Sequence, residues 1–267
     1  MISGLKRLQP AWVRRRLGLW RARRQAFPQE VSVELPAGKP CLFDVAGPVE
    51  RERVLGYGAE KAFLRSFLAE VSPGDVVFDI GSCVGLFALP AAQKGGRVVA
   101  FEPDPGFRAA LVRNVKINRL ERLITIKAWA VTDKPGRATL FTDGREGNSP
   151  SLARLWERQA VEVETMSVDD AIARAEVPSP DLVKMDIEGA EILALHGMAA
   201  LLASPGAPRC LFVELHPAFL SGFGSNVDEC VAWIQSAGYV VHSHRVRASQ
   251  VHCTFKRRSH VAPIAVS

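Results

Sequence analysis

Short apolar runs alternate with segments of helical periodicity along most of the chain. The apolar runs lie at 75–80, 97–102, 123–128, 181–186, 210–215, 239–243 and 251–255. Strands that alternate with helices predict a parallel sheet with crossover helices on both faces. The last two runs are too close for a helical crossover, so they should pair as an antiparallel hairpin. The predicted fold is therefore α/β: a doubly wound, Rossmann-like and mostly parallel sheet with a C-terminal antiparallel hairpin.

The region before this alternation contains two weaker patterns. Strand-like pieces at 31–35 and 41–45 lie between prolines and predict an accessory hairpin. A helix is predicted from Glu60, because Ala62, Phe63, Phe67, Leu68 and Val71 share one helical face and Ser-Pro-Gly at 72–74 ends it.

An insertion interrupts the main alternation. Strand-like pieces at 138–141 and 161–165 flank a polar loop and predict an additional strand pair. The patterns together divide the chain into a basic leader at 1–28, an accessory segment at 29–54, a main domain at 55–258 with an insertion at 137–165, and a tail at 259–267.

The positive charge of the chain is concentrated in the leader. The net charge is +6, but residues 1–28 contain eight basic and no acidic residues, which leaves the rest at −2. This distribution argues against a nucleic-acid partner, because a basic footprint should lie on the folded face that meets phosphates. Apolar residues at spacings of three and four in the leader suit a helix resting on anionic lipid, and a solvated tail is favoured equally.

The apolar runs and the cysteines bear on where in the cell the protein is expected. The longest uncharged run, 192–208, is interrupted by histidine, glycine, serine and proline, so a membrane-spanning helix is not expected. Five widely separated cysteines indicate reduced thiols. We therefore expect a cytoplasmic protein, with peripheral membrane contact through residues 1–28 as an open alternative. The oligomeric state stays open.

The first strand of the main domain runs into a glycine-containing loop. Asp79, Gly81 and Gly85 form the pattern D-x-G-x-x-x-G. Glycine is needed where the backbone turns tightly or approaches a ligand. A dinucleotide fingerprint would require glycine at Cys83, so an NAD-linked oxidoreductase is the weaker alternative. Asp79 would repel phosphates, so the loop favours a ligand without a pyrophosphate.

An acidic residue closes the second strand of the main domain. Glu102 lies where a carboxylate can accept both hydroxyls of a ribose. The alternative role for Glu102 is that of an acid at the start of the helix that follows Asp104.

These motifs, in this order, resemble those of the FkbM family of class I S-adenosylmethionine-dependent methyltransferases. The resemblance covers roughly 55–255 and rests on VVFDIGSCVG (76–85), FEPDP (101–105), Asn114, Asn118, AVTDKPG (130–136), Gly-Asn-Ser (147–149), VDDAI (168–172), VKMDIEGAE (183–191) and Gly197. It implies S-adenosylmethionine as the cofactor. The family usually has asparagine where this chain has Cys83.

The resemblance also implies roles for individual residues. Asp79, Gly81, Ser82 and Gly85 would hold the amino-acid end of the cofactor, and Glu102 would hold its ribose. Ala130 and Val131 would border the adenine. The implied acceptor is a hydroxyl of a sugar, a glycan or a polyketide-like metabolite.

The ends of two later strands supply candidate catalytic residues. Asp186, after the fourth strand of the main domain, is the first candidate for a base or a cofactor contact, and Glu188 is the second; helix capping is the alternative for Asp186. His216, after the next strand, is either a general base or a structural histidine. Lys184 either supports a carboxylate such as Asp186 or extends to the edge of the sheet. Glu191 is assigned to a helix surface.

No obligatory metal is predicted, because imidazole is a poor magnesium ligand. His242, His244 and His252 fit strand alternation better than a ligand set. Substrate contacts are expected from the inserted loop, with Asn148 and Ser149 as the chief candidates and Ser151 beside them, and from 220–225. A non-catalytic membrane-associated binding module is the alternative from another functional class.

Overall fold

The computed structural model describes residues 27–36, 38–56, 60–144, 150–154, 158–247 and 249–260. Its strands are β1 (Gln29–Glu34), β2 (Pro40–Val45), β3 (Val76–Ile80), β4 (Arg97–Phe101), β5 (Ile124–Lys127), β6 (Ala130–Val131), β7 (Gly136–Thr142), β8 (Gln159–Met166), β9 (Leu182–Met185), β10 (Cys210–Leu215), β11 (Tyr239–Arg247) and β12 (Gln250–Arg257). Its α-helices are α1 (Pro48–Leu55), α2 (Lys61–Glu70), α3 (Ala88–Gln93), α4 (Pro105–Ile117), α5 (Val168–Ala173), α6 (Glu191–His196), α7 (Ala199–Ala203), α8 (Pro217–Leu220) and α9 (Val227–Ser236).

Seven strands form the central sheet in the order β11-β12-β10-β9-β3-β4-β5. The pairs β3–β4, β4–β5, β3–β9 and β9–β10 are parallel, whereas β12 is antiparallel to both β10 and β11. The predicted parallel sheet and its C-terminal antiparallel hairpin are therefore confirmed. The carboxyl ends of β3, β4, β9 and β10 meet at one edge, which is where ligands bind in open α/β sheets.

Helices cover both faces of this sheet. Alternate strand residues enter two separate cores: Val77 packs with α2, α3 and α4, whereas Phe78 packs with α5, α6, α7 and α9. All residues of β3 are buried, as expected for a central strand covered on both sides. The helix expected from Glu60 is α2, but it buries Leu64 and exposes Ala62, which the sequence placed on the apolar face.

The accessory hairpin is present and is tied to the main sheet. β1 and β2 pair antiparallel, and their apolar side chains join the core on the α4 side. Asn114 on α4 accepts the N–H of Asp44 at 2.7 Å and donates to the carbonyl of Val84 at 2.9 Å. The side chain of Asn118, which caps α4, accepts from and donates to the backbone of Leu42. These asparagines, part of the motif series, therefore join the hairpin, α4 and the loop after β3.

The insertion forms a small second sheet in the order β6-β8-β7, with β7 and β8 antiparallel as predicted. The predicted domain boundaries remain predictions. Within the described part of the chain, no helix has both the length and the apolar content needed to cross a membrane.

Candidate active site

The loop after β3 is fixed between the ends of β4 and β9. The N–H groups of Gly81 and Ser82 donate to the carbonyl of Phe101 at 3.0 and 3.1 Å. Gly81 has φ +81°, and a Cβ there would lie 1.8 Å from the carbonyl oxygen of Asp186. Gly85 has φ +95°, and its Cβ would lie 2.8 Å from Leu111 of α4. Gly81 is therefore required by the close approach of the Asp186 backbone, and Gly85 is favoured by its positive φ.

The carboxylate of Glu102 faces this loop. Its Oε2 accepts the N–H of Cys83 at 2.7 Å and its Oε1 accepts the N–H of Asp104 at 2.9 Å. Each oxygen retains a second lone pair for a ligand hydroxyl. Burial raises the pKa of Glu102 to about 7, although these two N–H groups act in the opposite direction. The cap of α4 is Asp104, which accepts from the N–H groups of residues 106 and 107.

A first cleft of about 630 Å³ opens beside Glu102. The predicted residues Gly81, Glu102, Ala130 and Val131 line it, together with apolar side chains of the strand ends and the insertion: Ile80, Phe101, Trp129, Leu140, Pro150 and Leu152. A carboxylate next to a large aromatic surface suits a nucleoside. Sequence reasoning missed Trp129, although its position directly before Ala130 could have indicated it.

A second cleft of about 620 Å³ lies next to the first. It is lined by Ser82 and by residues from distant parts of the chain: Arg53, Glu60, Phe87, Glu214 and Gln250. Gly81, Cys83, Asp186 and Glu188 line both clefts. The two clefts therefore meet at the ends of β3 and β9. Sequence reasoning missed Glu60 and Gln250, because no motif surrounds either residue.

Asp79 is fully buried and lines neither cleft. Lys184 Nζ lies 3.2 Å from Asp79 Oδ1 and 3.7 Å from Asp186 Oδ2, and it donates to the carbonyl of Gly81 at 3.0 Å. Burial acts to lower the pKa of Lys184, but the carboxylates of Asp79, Asp186 and Glu214 raise it above its ordinary value. Lys184 is buried among these carboxylates, and it also lines the second cleft at the ends of the strands. Asp79 and Lys184 thus form a buried ion pair that supports the backbone of the glycine loop.

Asp186, Glu188 and Glu191 converge on one imidazole. His216 Nε2 lies 3.6 Å from both Asp186 Oδ1 and Glu188 Oε2, and His216 Nδ1 lies 2.7 Å from Glu191 Oε1. The assignment of Glu191 to a helix surface is wrong: the residue is completely buried, and its carboxylate pairs with His216, which directly follows β10. Burial acts to lower the pKa of His216, but the Glu191 hydrogen bond and the charges of Glu188 and Asp186 raise it to about 10.

The insertion contacts the segment that carries Glu188. Ser151 is buried, and its hydroxyl donates to the carbonyl of Glu188 at 2.7 Å. Glu188 has φ +53°, a left-handed conformation that this hydrogen bond helps to hold. Ser151, expected to contact substrate, therefore supports the backbone of a cleft residue. Asn148 and Ser149 lie outside the described residues.

Comparison with known proteins adds to this geometry. Residues 79–241 match the methyltransferase FkbM domain. The chain belongs to the FkbM methyltransferase family. It is 26% identical over 201 residues to the hexuronic acid methyltransferase AglP of Haloferax volcanii, covering 75% of this chain and 81% of that protein. It is 29% identical over 235 residues to the 31-O-demethyl-FK506 methyltransferase FkbM of Streptomyces tacrolimicus, covering 75% and 86% respectively.

A solved structure confirms the fold of this FkbM-family chain. The FkbM methyltransferase from Methylobacillus flagellatus superposes with a TM-score of 0.51 at 20% identity, over 76% of this chain and 52% of the other. The predicted family and the class I methyltransferase fold are therefore confirmed, and the chain is an S-adenosylmethionine-dependent methyltransferase.

Two groups of histidines have different surroundings in this methyltransferase. His252 of β12 lies 3.1 Å from Glu214 Oε2 and stacks on Phe63 with 4.5 Å between ring centroids. His242 and His244 are exposed on β11. These positions agree with strand alternation.

Asp186, Glu188 and His216 also offer ligand atoms within 4.8 Å of one another, a spacing that could accommodate a cation. That the reaction has no obligatory metal stays a prediction.

Proposed function

We propose that this enzyme transfers a methyl group from S-adenosylmethionine to a hydroxyl of a sugar, a glycan or a polyketide-like metabolite. The observation that carries the proposal is the meeting of two clefts at Gly81, Cys83, Asp186 and Glu188. The first cleft suits the nucleoside of the cofactor, and the second suits an acceptor. Methyl transfer is an in-line displacement, so it needs two such sites that open onto one point.

The residues of the first cleft fit the cofactor. In this proposal Glu102 accepts the ribose hydroxyls, and the adenine lies against Trp129, Ala130 and Val131. The close packing of Gly81 leaves the loop backbone at the junction of the clefts, and Ser82 also lines the second cleft. Asp79 and Gly85 act indirectly, by holding the loop that borders the amino-acid end of the cofactor.

The names of two relatives support the acceptor class. One relative is a methyltransferase of hexuronic acid, and the other acts at an O-demethyl position of FK506. The first name gives a sugar acid as the acceptor, and the second gives an O-methylation, so a hydroxyl as the methylated group is supported by the second name alone. Asn148 and Ser149 of the inserted loop are proposed to select the acceptor. Pro150 and Leu152, which follow them in the sequence, line the first cleft, and that cleft meets the second at Gly81, Cys83, Asp186 and Glu188.

When it is bound, S-adenosylmethionine supplies an electrophilic methyl group on a sulfonium and leaves as S-adenosylhomocysteine. The acceptor oxygen forms the new C–O bond as the S–C bond breaks, and the hydroxyl proton passes to a carboxylate. Asp186 is the first candidate for the carboxylate that takes this proton, and Glu188 is the second. His216, whose pKa is raised to about 10, holds its own proton at neutral pH and stabilises the two carboxylates.

Two experiments separate this function from its alternatives. S-adenosylhomocysteine should raise the melting temperature of the full chain and NADH should not, because an oxidoreductase would respond in the opposite way. Incubation with methyl-labelled S-adenosylmethionine and fractions of cell extract should then label a hydroxyl-bearing product that mass spectrometry identifies. Label on a nucleic acid, or no labelled product in any fraction, would contradict the proposal.

Asp186→Asn tests the proton acceptor. The amide keeps the size of the side chain and lacks the charge, so turnover should fall by about 100-fold or more while affinity for S-adenosylhomocysteine stays within a factor of three. Initial rates in the labelled-methyl assay and calorimetry measure the two quantities. Asp228→Asn, on the exposed first turn of α9, is the matched control. Normal turnover of the Asp186 variant would make this residue a structural one.

A further inference from the structure

The imidazole of His216 is held on one edge by a single carboxylate. Glu191 Oε1 accepts the N–H of Gly189 at 3.0 Å and lies 2.7 Å from His216 Nδ1. Glu191 is completely buried and His216 is 2% exposed. A buried carboxylate is costly unless it is paired and hydrogen-bonded. The two contacts on one oxygen therefore fix both the carboxylate and the ring.

The opposite edge of the ring faces the residues of the two clefts. Four side chains surround His216 Nε2: Asp186 at 3.6 Å, Glu188 at 3.6 Å, Glu214 at 3.8 Å and the amide nitrogen of Gln250 at 3.3 Å. An Nε2–H needs an acceptor at this place, so the Gln250 amide must turn its oxygen toward the ring when Nε2 carries a proton. The two nearest carboxylates line the junction of the clefts and approach the same nitrogen. Without a cation between them they would repel one another. The orientation of the ring therefore affects Asp186 and Glu188, the two candidates for accepting the proton of the substrate hydroxyl.

We propose that Glu191 is a positioning residue for the methyl-transfer reaction: it orients His216 so that Nε2–H, and not Nδ1–H, faces Asp186 and Glu188. This inference rests on the proposed function of the site. Glu191 itself lines neither cleft, so it acts through the ring and through its hydrogen bond to the N–H of Gly189, next to Glu188. The rival explanation is a buried pair that merely joins α6 to the end of β10.

Two substitutions of His216 separate these explanations. The amide nitrogen of glutamine reaches approximately to the place of Nε2, whereas that of asparagine reaches to the place of Nδ1. His216→Gln loses the positive charge of the ring and keeps a donor at the place of Nε2, so turnover in the labelled-methyl assay should fall by only about tenfold. His216→Asn keeps the contact with Glu191 and should lose turnover by about 100-fold. The reverse order would overturn the proposal, because it would show that only the Glu191 side of the ring matters.

Nuclear magnetic resonance of the ring nitrogens tests the orientation without cofactor or acceptor. In the full chain labelled with ¹⁵N-histidine, the signals of His216 are assigned by their loss in His216→Gln. Glu191→Gln keeps an oxygen acceptor and removes the charge, and it should shift these signals and lower turnover 10- to 100-fold. The KM for S-adenosylmethionine should not change. The exposed Glu176→Gln is the matched control and should change nothing.

The remaining outcomes are also decisive. Unchanged ring signals in Glu191→Gln would overturn the proposal, and so would a parallel loss of kcat and cofactor affinity. A change in the His216 signals after dialysis against EDTA would show that Nε2 binds a metal and would overturn it as well. Should Glu191→Gln fail to fold, the two His216 variants still decide. Failure of the proposed function appears separately, as no thermal response of the native chain to S-adenosylhomocysteine.

Discussion

At the scale of single residues, the junction of the clefts contains backbone conformations that ordinary residues avoid. Cys83 has φ +49° and Glu188 has φ +53°. Such left-handed conformations cost about 1–3 kcal/mol each for residues other than glycine, and they persist only where the surroundings hold them. The N–H of Cys83 donates to Glu102, and the carbonyl of Glu188 accepts from Ser151. Cys83 is thus held by a residue of the first cleft, and Glu188 is held by a residue of the insertion.

Cys83→Asn should stabilise the protein. Asparagine tolerates the left-handed conformation better than cysteine does, so the free energy of unfolding should rise by about 0.5–1 kcal/mol. Chemical denaturation measures the change. Cys83→Ala removes the thiol without this tolerance and should give no gain. Equal stability of all three proteins would mean that the conformation at residue 83 is not strained.

Nucleoside binding should depend on pH through Glu102. Burial raises the pKa of Glu102 to about 7, so the carboxylate that accepts ribose hydroxyls becomes populated as the pH rises past that value. Between pH 6 and 8 the affinity for 5′-methylthioadenosine, which lacks the amino-acid group, should increase up to about tenfold. Calorimetry of Glu102→Gln should show affinity weaker by about 1–3 kcal/mol and independent of pH. A pH response that survives in this variant would place the titrating group elsewhere.

At the scale of elements, the site depends on the close approach of the loops that follow β3 and β9. Asp186 N–H donates to the carbonyl of Ile80 at 3.0 Å, and Gly81 leaves no room for a side chain against the carbonyl of Asp186. Gly189 likewise leaves no room for a side chain, since a Cβ there would lie 2.3 Å from Phe219. These contacts align the strand ends, and with them Asp186 and Glu188.

Gly81→Ala should separate these loops. Gly74 has φ +89°, and a Cβ there would meet no atom within 4 Å, so Gly74→Ala introduces backbone strain alone, at about 1–2 kcal/mol. Gly81→Ala adds the collision with the Asp186 carbonyl, so it should destabilise the protein considerably more and abolish binding of S-adenosylhomocysteine. Thermal unfolding and calorimetry of both variants test this. Equal effects of the two substitutions would show that the loops can move apart at little cost.

At the scale of the whole molecule, four distant parts of the chain surround the second cleft. Glu60 precedes α2, Glu188 follows β9, Glu214 lies on β10 and Gln250 begins β12. Burial, and then the carboxylates of Asp186 and Glu214, raise the pKa of Glu60, while Arg247 at 3.3 Å opposes this effect. The concentration of acidic groups contrasts with the leader, which carries eight basic residues outside the described part of the chain.

Removal of residues 1–26 should separate membrane contact from catalysis. Each basic residue near an anionic surface contributes about 1 kcal/mol, so the full chain should bind phosphatidylserine vesicles and release them at high salt. The shortened chain should lose this binding and keep its affinity for S-adenosylhomocysteine, because β1 begins only at Gln29. Vesicle sedimentation and calorimetry are the measurements. If the full chain does not sediment with the vesicles, the hypothesis of a membrane-contacting leader is wrong.

The sequence by itself determined the order of strands and helices and the family. Local signals were enough for these: apolar runs of strand length, glycines at turns, and acids at strand ends. Parallel strands place their carboxyl ends on one edge, so Asp186, Glu102 and His216 could be expected near one another. The terminal hairpin followed from its short connection, and the inserted strand pair followed from strand-like pieces on either side of a polar loop.

The tertiary structure alone decided which polar groups share an environment. Glu191 resembles a surface residue in the sequence, because the burial of one helix turn depends on how α6 packs against the end of β10. Glu60 and Gln250 reach the second cleft through elements remote in sequence. Asp79 lies under the loop and not in a cleft, because Lys184 of the neighbouring strand pairs with it. Charge, burial and protonation depend on distances in space, which no local pattern specifies.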